Sequence, residues 1–551
     1  MTTIADLVLS RAEEHPTRTA VLFEDRSWTW AEYARACAER ASVLVGMRRP
    51  GPFHVGVLLD NVPEFPMWLG AAALVDATVV GINPTRRGAE LQRDITHSEC
   101  QLIVTEPVHR PLLEGLDLGM SEDRVLDVDS GTYAALLGEA RGAAVPEARP
   151  TSDSRYLLLF TSGTSGQPKA CICSQGRLAR IGQAVTKNFG LTPDDVCYEV
   201  MPLFHSNALM AGWAPTVASG AATALRRKFS ASGFLPDVRR YGATYFNYVG
   251  KPLSYILATP ERPDDAENPL VLAFGNEAAD LDIGRFGRRF GCRAIDAYGS
   301  TEGGVTVGRT PDMPPGALGR APEGTVVLDL ETGEECPPAE FDDRGRLINP
   351  DAAIGELSAR SGGLGFEGYW NNEEADAERV RDGVYRTGDL AYRDADGFFY
   401  FAGRDFDWLR VDGENFAAAP VERILARHPD VVLAAVYAIP DPEVGDQVMA
   451  ALQLRSGRDL DPAGFSEFLA AQPDLGTKWS PRFVRVTDQL PVTPTSKVLK
   501  RVLRRERWEC SDPVWWRPSA AEPYRRITAE DVADLRAAFT ARGRLSSLDA
   551  G

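Results

Sequence analysis

Short apolar runs alternate with amphipathic stretches through the first hundred positions. The runs at residues 20–23, 55–59 and near Val79 and Leu102 have strand length, and helical periodicity begins at Trp30 and again at Glu64. Strands and helices in alternation predict an α/β sheet. Thr29 precedes the first helix and Glu32 follows three positions later, the spacing of a capping box that satisfies orphan amides at both places. Residues 131–153, rich in Ala, Arg, Pro and Ser, read as a surface excursion before the apolar strand 156–160. After a segment dense in Gly, Pro and Asp (311–355), short alternating strands at 383–385 and 397–402 predict a β-rich portion. Beyond Arg404 the pattern gives a helix at 419–427, a strand at 431–439, a helix from Pro462 and a strand at 482–486. That is a small α+β domain behind a large N-terminal domain of several subdomains with mixed sheets. No internal repeat is visible.

Length and composition narrow the function classes. A chain of 551 residues, 44% hydrophobic and 25% charged, has the mixture of a multidomain globular protein. Its 60 basic against 78 acidic residues give a net charge of −18, which opposes non-specific nucleic-acid binding but leaves room for a local phosphate site. The N-terminus, MTTIADLVLSRAEEHP, lacks a basic region followed by an apolar core, and no run reaches the roughly 18 apolar residues of a spanning helix. The longest candidate, 67–80, is broken by Asp76. A soluble, cytoplasmic protein is expected. Its eight cysteines show no paired C-x-x-C spacing, so reduced thiols are expected rather than a zinc site. Cys171 and Cys173, on either side of Ile172, share one strand face and read as small core residues.

The strongest local chemistry is the segment Thr161, Ser162, Gly163, Thr164, Ser165, Gly166, Gln167, Pro168, Lys169, directly after the strand at 156–160. Its glycines admit close approach of backbone amides to an anion, its hydroxyls add donors and Lys169 adds a charge, so the segment suits phosphates. It is not a Walker A loop: the G-x-x-x-x-G-K-[ST] pattern is absent and the following ACICS reads as strand. The pattern resembles the phosphate loop of the adenylate-forming superfamily: acyl-CoA synthetases, peptide-synthetase adenylation domains and luciferases. The resemblance extends, in order, through Met201-Pro-Leu-Phe-His205, Tyr298-Gly-Ser-Thr-Glu302, Gly355-Glu-Leu, Tyr385-Arg-Thr-Gly-Asp389, Gly403-Arg404 with Asp407, and 491–497. Phe246-Asn-Tyr-Val-Gly250, Gly275-Asn276, Gly413-Glu-Asn415 and the tail after Trp515 look most like the fatty-acid transport protein branch of fatty acyl-CoA ligases.

The resemblance implies an enzyme that uses ATP, Mg²⁺ and coenzyme A to convert a carboxylic acid, fatty or otherwise hydrophobic, to acyl-AMP and then to a thioester. It assigns Glu302 to the metal, Thr301 to phosphate contact, and Lys497 to a mobile bridge between the acyl carboxylate and the α-phosphate. Asp389 would accept the ribose hydroxyls, an ionised group with two acceptor oxygens, backed by Arg404. Gly275, Asn276, Glu277 and Tyr298 would wall the adenine, with Gly299 and Ser300 in the same motif. His205 would sit beside the acyl carboxylate as a positioning or gating group, and Gly413 beside the CoA tunnel. The implied architecture is an N-terminal adenylation domain over 1–402, a hinge at 403–407 and a mobile C-terminal domain with a tail over 408–551. Leu209 aligns with an aromatic gate of some long-chain ligases, with Trp213 one turn on.

Gly363-Leu-Gly365-Phe-Glu-Gly368 satisfies G-x-G-x-x-G, but no strand leads into it and no helix opens from it, so a nicotinamide site is set aside. Phe406 in the hinge, Asp412 before Gly413 and Ser496 before Lys497 depart from the family pattern. Two alternatives compete with the synthetase reading; Phe406 and Asp412 keep the first open, and the intact Lys169, Glu302, Asp389 and Lys497 disfavour the second. An adenylating enzyme could hand its acyl-AMP to a carrier protein or a separate transferase, or a non-catalytic binding module could retain the fold.

Overall fold

The computed structural model describes residues 2–146, 150–161, 169–276, 278, 280–310, 312–314, 316–343, 345, 347–360, 365–404, 408–411, 414–442, 446–472, 475–476, 478–493, 498–519, 522–542 and 544–548. Two largely parallel sheets form the N-terminal part. One runs in the order Val125–Asp127, Cys100–Thr105, His54–Leu58, Thr78–Gly81, Arg155–Thr161, Lys169–Ser174, all parallel except the last. The other runs Arg293–Asp296, Leu272–Asn276, Tyr245–Val249, Val196–Glu199, Ala222–Leu225, Thr19–Phe23, Arg26–Thr29, again antiparallel only at its final pair.

Helices between the sheets explain the apolar pattern. The helix Glu64–Leu74 is buried at every position after its first, because it lies in the shared core rather than on a surface. It meets the helix Trp30–Met47 closely enough that a Cβ on Gly70 would stand 2.3 Å from Cys37 Sγ. The capping box predicted at Thr29 and Glu32 is formed: Glu32 N–H donates to Thr29 Oγ1 (3.2 Å) and Thr29 N–H to Glu32 Oε2 (2.8 Å). Among the described residues no helix is long and apolar enough to cross a membrane. Residues 67–80 divide between this core helix and the strand Thr78–Gly81. The excursion at 131–153 needs one correction. It contains the helix Gly131–Glu139, started by Ser130, whose hydroxyl accepts from Tyr133 N–H, and anchored by buried Tyr133. A single buried residue is too weak a periodic signal to mark a helix in the sequence.

The β-rich portion is an antiparallel sheet in which Val384–Arg393 pairs with Gly355–Ala359, Val380–Arg381 and Phe399–Arg404, while Thr325–Leu328 pairs on the far side of Gly355–Ala359. The C-terminal part has a hairpin, Trp408–Val411 with Glu414–Ala417, then a five-stranded sheet in sequence order: Val431–Pro440, Asp446–Leu454, Phe483–Thr487, Val514–Trp516, Arg525–Arg526. Past an irregularity between Val431 and Leu433, its first long strand alternates. Leu433, Ala435, Tyr437 and Ile439 enter one core and Ala434 and Val436 the other, so this sheet is covered on both faces.

Candidate active site

In parallel sheets ligand sites gather beyond the carboxyl ends of the strands. Here the ends of Val196–Glu199, Tyr245–Val249 and Arg293–Asp296 lead into 201–207, Gly250 and 297–302, with the end of Leu272–Asn276 beside them. Segments far apart in sequence thus meet along one edge.

Gly275 lies in register with Tyr248 of the neighbouring strand. A Cβ there would come within 2.2 Å of the Tyr248 carbonyl and 2.4 Å of its ring, so strand packing alone requires glycine. Asn276 donates through Nδ2 to the Ala297 carbonyl and accepts on Oδ1 from Asn207 Nδ2 (3.1 Å). Tyr298 donates its phenol O–H to Asp389 Oδ2 at 2.6 Å, and its ring packs 6.5 Å from that of Phe401. Burial, then the Asp389 carboxylate, pushes the Tyr298 phenol well above its ordinary pKa. Asp389 is 9% exposed and sits across the antiparallel ladder from Arg404. The Arg404 side chain, Glu277, Gly413 and Lys497 lie outside the described residues, as do Ser162, Gly163, Thr164, Ser165, Gly166, Phe406, Asp412 and Ser496.

Gly299 is exposed and Ser300 turns the chain, donating from its hydroxyl to the Gly303 carbonyl (3.0 Å). The turn needs left-handed backbone at Gly303 and Gly304, and a Cβ on Gly304 would stand 2.2 Å from the Tyr385 ring. Thr301 shares a 2.6 Å hydroxyl hydrogen bond with Ser206, and its carbonyl accepts from Arg177 Nη2 (2.6 Å). Glu302 is buried and accepts from the Tyr369 hydroxyl at 3.0 Å; that hydroxyl accepts from Arg379 Nε, also at 3.0 Å.

Thr161 and Lys169 are register partners at the end of the antiparallel pair Arg155–Thr161 and Lys169–Ser174, as the strand reading of ACICS requires. Lys169 is 5% exposed, with its ammonium 5.9 Å from the Tyr369 ring centroid and 3.1 Å from Glu378 Oε2. Tyr369 therefore touches both Lys169 and Glu302. His205 is half-buried with its ring 4.4 Å from that of Phe204. Leu209 and Trp213 are buried in a π-helical turn, Ala208–Trp213, of the kind frequent at functional sites. Sequence reasoning missed Tyr369, Arg379, Glu378 and Ser206. Ser206 adjoins His205 and was within reach of the motif, whereas Tyr369, Glu378 and Arg379 belong to no chemical pattern in the sequence.

A second charged cluster is structural. Asp60, Glu106 and His109 face one another, but Arg227 bridges both carboxylates and Lys228 lies 3.4 Å from Asp60, so cations of the protein already fill it. All eight cysteines are unpaired, and burial pushes the Cys173 thiol up to about 12, as expected of core residues.

The family of AMP-binding enzymes matches residues 8–370, and the C-terminal domain of AMP-binding enzymes matches 420–497. The chain belongs to the AMP-binding enzyme family. Steroid-22-oyl-CoA synthetase of Rhodococcus jostii (strain RHA1) is 53% identical over 98% of both chains. Medium/long-chain-fatty-acid–CoA ligase FadD17 of Mycobacterium tuberculosis (strain ATCC 25618 / H37Rv) is 50% identical, over 93% of this chain and 98% of that one. The solved structure of the anthranilate CoA ligase AuaEII in complex with anthranoyl-AMP has a TM-score of 0.80 at 22% identity, covering 91% of this chain and 96% of that one, a likeness of fold. The adenylate-forming fold read from the motifs is thus the fold of this chain, and the chain is an acid–thiol ligase of the acyl-CoA synthetase kind.

Proposed function

We propose that this enzyme uses MgATP to activate a large hydrophobic carboxylic acid, a steroid side-chain acid or a long fatty acid, and that the residues gathered at the strand ends divide the work. The substrate class rests on the names of relatives at 50% identity or above, the two reported above among them. The observation that carries the division of work is the meeting of Tyr298 with Asp389, Ser206 with Thr301, and Lys169 and Glu302 through Tyr369.

In the first step a carboxylate oxygen of the acid forms a bond to the α-phosphorus, and the bond from that phosphorus to the bridging oxygen of pyrophosphate breaks. Both reactants are anionic, so the site must supply positive charge and hydrogen-bond donors where charge develops. Lys169 exchanges Glu378 for a phosphate oxygen, and the Thr301 hydroxyl turns toward phosphate. Asp389, oriented by Tyr298, receives the ribose hydroxyls. The donor set fits a magnesium ion that arrives with the nucleotide: Glu302 offers one buried carboxylate with one oxygen engaged by Tyr369, and Mg²⁺ in such sites takes one or two carboxylates together with substrate phosphates. In the second step the CoA sulfur forms a bond to the acyl carbon, AMP leaves with the electron pair of the broken anhydride bond, and the thiol proton passes to solvent.

Lys497 and Gly413 are assigned to a C-terminal domain that presents each in turn. Replacing Lys497 by Ala should slow adenylation by about 10² to 10³, the usual loss for one such donor, while thioester still forms from supplied acyl-AMP and CoA. The deciding experiment is AMP and pyrophosphate release from a panel of short, aromatic, long-chain and steroid acids, with and without CoA. Turnover of short or aromatic acids alone would overturn the substrate class. Acyl-AMP without CoA thioester would favour a carrier protein or separate transferase as acceptor.

A further inference from the structure

Behind the site lies a carboxyl group that the chemistry above does not use. Glu199, the last residue of its strand, is fully buried, as is Asn247 on the adjacent strand. Their protonation and orientation follow from the surrounding hydrogen bonds. Asn207 Nδ2 donates to the Tyr248 carbonyl and to Asn276 Oδ1, both at 3.1 Å. A carbonyl can only accept, so Asn207 must present its NH₂ on that side and its Oδ1 on the other. Asn247 then donates its own Nδ2 to Asn207 Oδ1 at 3.0 Å, which turns Asn247 Oδ1 toward Glu199. Glu199 Oε1 is engaged by the Met201 N–H at 3.1 Å. Asn247 Oδ1 and Glu199 Oε2 are left, both sealed from solvent and both without a donor among the described residues. They converge over Gly212 in the π-helical turn, 1.6 Å (Oε2) and 3.1 Å (Oδ1) from where a Cβ on that glycine would sit. Among the described residues Glu199 has no ion-pair partner. Two buried acceptors facing each other are destabilising, and a single proton between them removes the penalty.

We propose that Glu199 is a neutral carboxylic acid whose Oε2–H donates to Asn247, and that the relay Glu199, Asn247, Asn207, Asn276 is the positioning device that fixes residues 202–207, with His205 and Ser206, against the Gly275–Asn276 wall. Burial, opposed by the hydrogen bond from the Met201 N–H, pushes this carboxyl well above the usual carboxylate range, in accord with the geometry. Gly212 is required because any side chain there would occupy the space of Oε2. The positioning role rests on the function proposed above; the protonation state does not.

Infrared difference spectra of wild type minus Glu199→Gln should show the carbonyl stretch of a neutral carboxylic acid at neutral pH. Carboxylate bands in its place would overturn the protonation. Glutamine keeps an acceptor for Met201 and a donor for Asn247, so Glu199→Gln should hold kcat/KM within about twofold, whereas Glu199→Leu and Asn207→Ala should lower it about tenfold or more through looser placement of the reacting groups. Wild-type kinetics in folded Asn207→Ala would overturn the positioning role, and that variant decides the matter if Glu199→Leu fails to fold. Wild-type protein inactive with every acid would refute the proposed function while leaving the infrared result standing.

Discussion

The hydrogen bond from Tyr298 to Asp389 offers the sharpest test of the nucleotide site, because Tyr298→Phe removes one oxygen and leaves the ring in place. The bond is 2.6 Å long and its acceptor is only 9% exposed, so water replaces the lost donor poorly. A hydrogen bond to a charged group contributes about 1.5 to 3 kcal/mol, a factor of about ten to a hundred and fifty in binding. If Asp389 holds the ribose, that loss falls on ATP. In acid-dependent pyrophosphate exchange, KM for ATP should rise at least about tenfold while KM for the acid stays within about twofold. The phenol is pushed far above its usual pKa by burial and by Asp389, so it remains a donor and the ratio of variant to wild type should be flat from neutral to moderately alkaline pH. An unchanged KM for ATP in a folded variant, or equal increases for both substrates, would refute the assignment.

Three further outcomes follow from single contacts. Gly275→Ala drives a Cβ into the Tyr248 carbonyl, so it should lower stability by about 1 to 3 kcal/mol, the range for overpacking, read as a lower midpoint in urea; an unshifted midpoint would show that the strand pair yields freely. Glu378→Gln frees Lys169 from a partner whose side chain is 46% exposed, a pair worth about 0.2 to 1 kcal/mol, so KM for ATP should fall by up to about fivefold, and a rise would assign Glu378 to nucleotide binding. Burial raises the Asp94 carboxyl from 3.8 to about 6 despite Arg86 at 3.4 Å. Between those values the folded chain holds a proton that the unfolded chain releases, so this group makes stability fall as pH rises through the window, by at most about 3 kcal/mol. Asp94→Asn should flatten urea stability between pH 4 and 6 relative to wild type, and parallel profiles would refute the shift.

The sequence by itself determined the alternating α/β order, the Thr29 cap, the strand after the phosphate loop and the family, because each is carried by residues close together. Capping needs two residues three apart, and period-2 burial shows in consecutive positions. The helix at Gly131–Glu139 was hidden since it buries only Tyr133. What the tertiary structure alone decided is which distant groups share a site. Tyr369 lies two hundred residues from Lys169 yet touches both it and Glu302. Nothing local distinguishes it from any other core tyrosine. Gly275 read in sequence as part of an adenine wall, and the further need for glycine there, set by the Tyr248 carbonyl beside it, shows only in strand register. Glu199 reads in sequence as an ordinary acid at a strand end. Its proton follows from acceptors contributed by three other segments, and a hydrogen-bond network of that kind exists only once the chain is folded.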